Sequence, residues 1–392
     1  MLRRDETLVT HAGSDRADEP RAVNPPVVRT STVLYPNLDT MRQVKRVRES
    51  GERQFSYGRR GTPTTFALED ALVDLERGCR ATLHPSGLAA IAHVFLSFLR
   101  PGDHLLVARG VYAPVRTLCE DYLSSRGIVH QYFDGGAQEA AALMRPTTRM
   151  IYTEIPSSLT YEIHDLPALA RVAHDRGRET VLAVDNTWGA GLLYKPLTLG
   201  ADISIQSCTK YIVGHSDAML GAVIANDRTW TDLWRSATVL GQCVSPDDAY
   251  LALRGLRSMA ARLAMHEAHA RVVAKWLLDH PLVSDVLYPA LETHPGHGLW
   301  KRDFRGANGL LTIVFDKGVS RSQVDGFVNA LTLFGIGSSW GGYESLVLPV
   351  ESKAQAASSG QGALVRLHIG LEHPDDLIAD LGQALDRAAA DG

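Results

Sequence analysis

Cysteine is scarce in this chain: four residues in 392 (Cys79, Cys119, Cys208 and Cys243), and no pair is spaced as CxxC. That scarcity excludes a disulfide-built fold and a thiolate zinc site, and it predicts reduced, packing cysteines. No apolar run reaches 18 residues, and the N-terminus is polar and charged rather than leader-like. Neither a membrane span nor a secretion signal is therefore expected, and the cytoplasm is the implied compartment. An excess of one charge is lacking too. Forty basic and 44 acidic residues leave a net charge of −4, and Arg3-Arg4 and Arg59-Arg60 are too short to make a basic patch. Nucleic acid and anionic membrane are excluded as partners on that balance. His294 and His297 have the spacing HxxH, but Pro295 and Gly296 between them keep the segment out of a helix, and no metal site is expected.

What is present is an ordinary globular composition, 45% apolar, in a chain long enough for two or three domains. Its centre of interest is residues 180–211, TVLAVDNTWGAGLLYKPLTLGADISIQSCTKY. The apolar run 181–184 reads as a buried strand ending in Asp185, and 203–205 as another, followed by Gln206-Ser207-Cys208-Thr209-Lys210. An acid at the end of a buried strand is costly unless a base meets it. A lysine just past a strand end lies where α/β proteins place ligands. On spacing alone two readings stand: a buried ion pair, or a pair built for pyridoxal phosphate (PLP). In the second, the lysine amine bonds to the aldehyde and the acid keeps the pyridine nitrogen protonated. Cys208 reads as a small packing residue, and Trp188 as core.

The longer run VDNTWGAGLLYKPLTLGADISIQSCTKYIVGHSD resembles the PLP-lysine signature of the Cys/Met-metabolism enzymes, a branch of the aspartate-aminotransferase-like fold. The resemblance covers nearly the whole chain. It implies an α/β protein of PLP-dependent transferase fold type I, with a mostly parallel central sheet and a smaller α+β C-terminal domain. The residue pattern agrees: strand-like runs at 81–84, 102–108, 128–133, 149–154, 181–185, 203–205 and 219–225 alternate with helical stretches such as 64–76, 88–99 and 166–176. From about residue 256 the pattern changes to a long helix at 261–278, strands at 309–315, 333–337 and 363–369, and helices at 320–330 and 374–389. We divide the chain into an arm (1–60) rich in turn formers and poor in helical periodicity, a cofactor domain (61–256) and a C-terminal domain (257–392). The stretch 352–360 is rich in Ser, Ala and Gly and reads as a loop.

Site residues follow from the resemblance. Lys210 carries the cofactor and moves the substrate proton, and Asp185 faces the pyridine nitrogen. Ser86 and Gly87, which open a helix and would by themselves pass as an ordinary N-cap, join Ser207 and Thr209 around the phosphate. Tyr112 stacks on the ring and assists proton transfer; without the resemblance it would read as packing. Tyr57 and Arg59, in FSYGRRGTPT, serve the phosphate of a neighbouring subunit, which makes the protein a homo-oligomer, at least a dimer and by family expectation a tetramer. Arg366 in VRLHIGLE clamps the substrate carboxylate with help from Ser339, and Trp340 lies in the substrate loop SSWGGYES. Three departures bear on the reaction. Ser158 stands where most of the family has Asn, Val115-Arg116 where methionine γ-lyases have a nearby Cys, and Trp340 where γ-enzymes have Leu. They imply a carbon–sulfur β-lyase that cleaves L-cystathionine to homocysteine, pyruvate and ammonia. The alternatives are γ-elimination or γ-replacement within the family, or a catalytically silent regulatory relative, against which the complete set of site residues speaks.

Overall fold

The computed structural model describes residues 3–13, 22–134, 136–175, 179–350 and 362–390; the loop read at 352–360 lies outside them. The described residues place seven strands in one sheet: β1 (Arg80–His84), β2 (His104–Ala108), β3 (Val129–Phe133), β4 (Thr148–Glu154), β5 (Val181–Asp185), β6 (Ile203–Ser207) and β7 (Gly221–Ala225). Their order is β1-β7-β6-β5-β4-β2-β3. Pairs β2/β3, β2/β4, β4/β5 and β5/β6 are parallel, and β7 runs antiparallel to both β1 and β6. Strands β2, β5 and β7 are buried at every position, as apolar runs sandwiched between helices should be. The parallel strands β4, β5 and β6 all end on polar residues, Glu154, Asp185 and Ser207, so one edge of the sheet gathers the chemistry.

A second sheet holds β8 (Val283–Leu287), β9 (Leu310–Phe315), β10 (Gly335–Ile336), β11 (Leu346–Pro349) and β12 (Leu364–His368), in the order β10-β11-β12-β9-β8. Helices Arg321–Ala330 and Pro374–Ala390 pack together beside it. This is the α/β architecture expected, with a mixed C-terminal part.

Three local expectations need correction. The arm is not simply irregular: it contains helices Asp5–Thr10 and Leu38–Glu49, the second capped by Asn37, whose side chain accepts from Thr40 N at 2.9 Å. None of the Leu38–Glu49 residues is buried, so no core-facing periodicity marks it. The long helix begins at Pro246, not near 261, with Ser245 as its cap, and runs unbroken to Leu278 through the point where we divided the chain. Strands β8 and β11 lie outside the runs that the sequence pattern predicts. β8 carries Ser284-Asp285 and a register shift against β9, which hides its pattern, and β11 keeps one buried residue in four.

Candidate active site

The edge formed by β4, β5 and β6 meets the loop that precedes β11, and Lys210 lies between them. Its Nζ donates to Ser339 Oγ at 2.6 Å and sits 5.3 Å from the centroid of the Trp340 ring. Arg366, on β12, donates from Nη2 to the Ser339 carbonyl oxygen at 2.8 Å. Lys210, Ser339, Trp340 and Arg366 are thus brought together from both sheets. Ser339 has φ +81°, a left-handed backbone that a non-glycine residue adopts only under constraint from its surroundings. Burial, and next the Arg366 charge, lower the Lys210 amine to about 8, against the opposite pull of Asp185 and Glu154. Burial also lowers Arg366.

Asp185 is buried at the end of β5, where Oδ1 accepts from Thr187 N at 2.9 Å and Thr187 Oγ1 at 2.6 Å. Thr187 Oγ1 in turn accepts from Ser207 N at 2.8 Å, which ties the ends of β5 and β6 together. Tyr152 approaches Asp185 Oδ2 at 3.5 Å. Burial raises the Asp185 carboxyl, and these hydrogen bonds oppose the shift. The sequence reading overlooked Glu154, which pairs with Asp185 across β4 and β5. Burial, then the Asp185 charge, push its carboxyl well above the usual range, while its Oε2 accepts from Tyr112 N at 2.6 Å. The same signal that drew attention to Asp185, an acid closing an apolar strand, was available for Glu154. Tyr112 itself is half exposed, and its hydroxyl is raised by burial and by both acids.

Ser86 caps the helix Gly87–Phe98, its Oγ accepting from Ala89 N at 3.1 Å. Gly87 lies directly against Ser207: a Cβ there would come within 2.6 Å of Ser207 Cβ. Thr209 Oγ1 accepts from Leu220 N at 3.0 Å, and Leu220 precedes Gly221, the register partner of Ser207. Ser86, Gly87, Ser207 and Thr209 therefore form one neighbourhood of hydroxyls and helix-terminal N–H groups. Tyr57 and Arg59 stand apart from the Lys210 cluster in their contacts. Tyr57 bridges to Thr32, and Arg59 donates to the Thr238 carbonyl at 3.4 Å. Cys208 is buried and its thiol pushed up by burial, and Trp188 packs edge-on against Phe304. Ser158 N donates to the Gly110 carbonyl at 2.8 Å, joining the turns that follow β4 and β2.

These residues fit PLP. Hydroxyls gather at the N-terminus of the helix Gly87–Phe98, which Gly87, lacking a Cβ, lets approach Ser207 closely, and the Asp185 carboxyl and the Lys210 amine supply the acid and the amine that a pyridine aldehyde calls for. Comparison with known proteins agrees. The model of the family described as Cys/Met metabolism PLP-dependent enzyme matches residues 6–386. A cystathionine beta-lyase from Bordetella avium is 50% identical over 98% of both chains, and one from Escherichia coli K12 is 40% identical over 96% of both. More distant relatives include an L-methionine gamma-lyase from Pseudomonas deceptionensis, 34% identical over 97% of this chain and 96% of that one. Among solved structures, a cystathionine gamma synthase from Xanthomonas oryzae in complex with cystathionine superposes with a TM-score of 0.89, at 33% identity and full coverage of both chains. The chain belongs to the Cys/Met metabolism family of PLP-dependent enzymes.

Proposed function

We propose that this protein is a carbon–sulfur β-lyase that cleaves L-cystathionine, with water, to homocysteine, pyruvate and ammonia. The observation that carries the reading is the Lys210 amine held 2.6 Å from Ser339 Oγ and 5.3 Å from the Trp340 ring centroid, with Arg366 donating to the Ser339 carbonyl. PLP, when bound, supplies the electron sink that lets bonds at the substrate α-carbon break. Ser86, Gly87, Ser207 and Thr209 would hold its phosphate, Asp185 would keep its ring nitrogen protonated, and Tyr112 would stack on the ring. Arg366 binds the substrate α-carboxylate, to which its planar fork is matched. Lys210 Nζ takes the α-proton; with its amine lowered to about 8 it is a competent base near neutral pH. The sulfur at Cβ then leaves as the homocysteine thiol.

Tyr57 and Arg59 complete the site of a second copy. Their separation from the Lys210 cluster in contacts supports this, as do Val23, Leu34 and Leu38, which stand exposed on the same arm. The active unit is accordingly at least a dimer. No described helix is long and apolar enough to cross a membrane. All four cysteines are free, which suits a reducing compartment, and on that ground we place the enzyme in the cytoplasm. The decisive experiment supplies L-cystathionine to the purified protein and identifies the 2-oxo acid. Pyruvate with homocysteine is expected. 2-Oxobutyrate with cysteine would move the chain to γ-elimination.

A further inference from the structure

Both ring nitrogens of His368 are spent on the loop that carries Ser339 and Trp340. Nε2 lies 3.1 Å from Gly341 N, and Nδ1 lies 3.0 Å from the Glu344 carbonyl oxygen. An amide N–H can only donate and a carbonyl can only accept, so the imidazole is neutral with its proton on Nδ1. Burial and the nearby His266 ring hold it neutral.

The placement gives those bonds a consequence. His368 closes β12 two residues after Arg366, so both side chains rise from the same face of one strand. That strand grips the loop at three points: the Ser339 carbonyl through Arg366, and the Gly341 amide and Glu344 carbonyl through His368. Gly341 has φ +88°, and a Cβ on it would fall 2.9 Å from the Lys210 carbonyl carbon and the Tyr211 nitrogen. The loop thus rests on the backbone of Lys210 and is held from the other side by the imidazole. Trp340 packs 5.4 Å from Tyr211, whose ring lies 5.9 Å from His368. Hydrocarbon would fill such a space equally well; it could not hold residues 341 and 344 at a fixed height.

We propose that His368 is a positioning residue for substrate binding: its Nδ1–H tautomer sets where Ser339 and Trp340 stand above Lys210 Nζ. The proposal rests on the reading of the loop as the substrate wall. The test compares His368→Gln, whose amide oxygen can still accept from Gly341 N, with His368→Leu, which keeps bulk and loses both bonds. Leu leaves a buried amide without a partner, so we expect KM for L-cystathionine to rise about ten- to a hundredfold with a smaller change in kcat, at unchanged PLP content. Gln is expected to recover most of the loss. Amide hydrogen exchange over residues 339–345, with and without PLP, should quicken in H368L and stay near wild type in H368Q, while β9 and β12 hold their rates. Unchanged KM and exchange in H368L, or a Gln variant as impaired as Leu, would overturn the proposal. Should H368L not fold, nitrogen NMR of the wild-type imidazole decides: a proton on Nε2 instead of Nδ1 refutes the arrangement. The exchange and NMR readouts need no substrate, so a wild-type protein that leaves cystathionine uncleaved would defeat the proposed reaction and leave this test intact.

Discussion

The two walls of the site are built by opposite means. The wall that bears Asp185 and Ser207 is the edge of a sheet whose strands are held by regular ladders, with β5 buried throughout, and Lys210 sits in the turn three residues past β6. The facing wall is a loop with left-handed backbone at Ser339 and Gly341, held by side chains rising from β12. Rigid strand ends suit groups that hold a cofactor in one pose, because the ladder fixes them without help from the ligand. A loop pinned at a few points suits substrate choice, because single substitutions can alter its shape and leave the sheet intact.

Substitutions can break or sharpen this contrast. The largest effect should come from the sheet wall. Lys210→Ala removes the base, and turnover should fall by at least about 10²–10⁴-fold in a steady-state assay; activity near wild type would remove Lys210 from its role. Asp185→Asn, nearly isosteric, should retain the fold and still bind PLP, yet lower kcat by about 10²–10³-fold. On the loop side, Arg366→Ala should act chiefly on KM. Losing a charge partner costs about 2–5 kcal/mol, or roughly thirtyfold and more, and a purely kcat effect would contradict carboxylate binding. The smallest effect is expected of Trp340→Leu. It trims an apolar contact and should shift the ratio of pyruvate to 2-oxobutyrate while changing kcat/KM by about tenfold or less.

Acidity offers a separate probe. The folded Lys210 amine lies near 8, below its ordinary value of 10.5, so the unfolded chain binds the extra proton between those values. This residue's contribution to the stability of the PLP-free protein therefore rises with pH across that window and is a penalty below it. Denaturant titrations between about pH 8 and about pH 10.5 should show that slope, and Lys210→Met should flatten it. A slope identical in the two proteins would place the amine elsewhere.

Much of the fold could be read from local pattern. The strand-like runs at 181–185 and 203–205 coincide with β5 and the start of β6, because strands buried on both faces are dominated by apolar residues. Helix Leu38–Glu49 escaped because it buries nothing, and the first turns of Pro246–Leu278 escaped although Ser245-Pro246 is a start signal. Within the site, Glu154 and His368 went unremarked. Glu154 closes a strand as Asp185 does, a signal its segment offered, whereas nothing in the segment of His368 marks it; what each does follows from the neighbours it meets, Tyr112 N and Asp185 for the one, Gly341 and Glu344 for the other.

The sequence by itself determined the family and the α/β alternation, and through the resemblance it nominated groups for PLP, because strand periodicity and short spaced motifs are local properties of the chain. Tertiary structure alone decided which of those groups touch. Lys210, Ser339 and Arg366 meet only after the second sheet closes on the first, and the lowered Lys210 amine and the single tautomer of His368 arise from burial and partners supplied by distant segments.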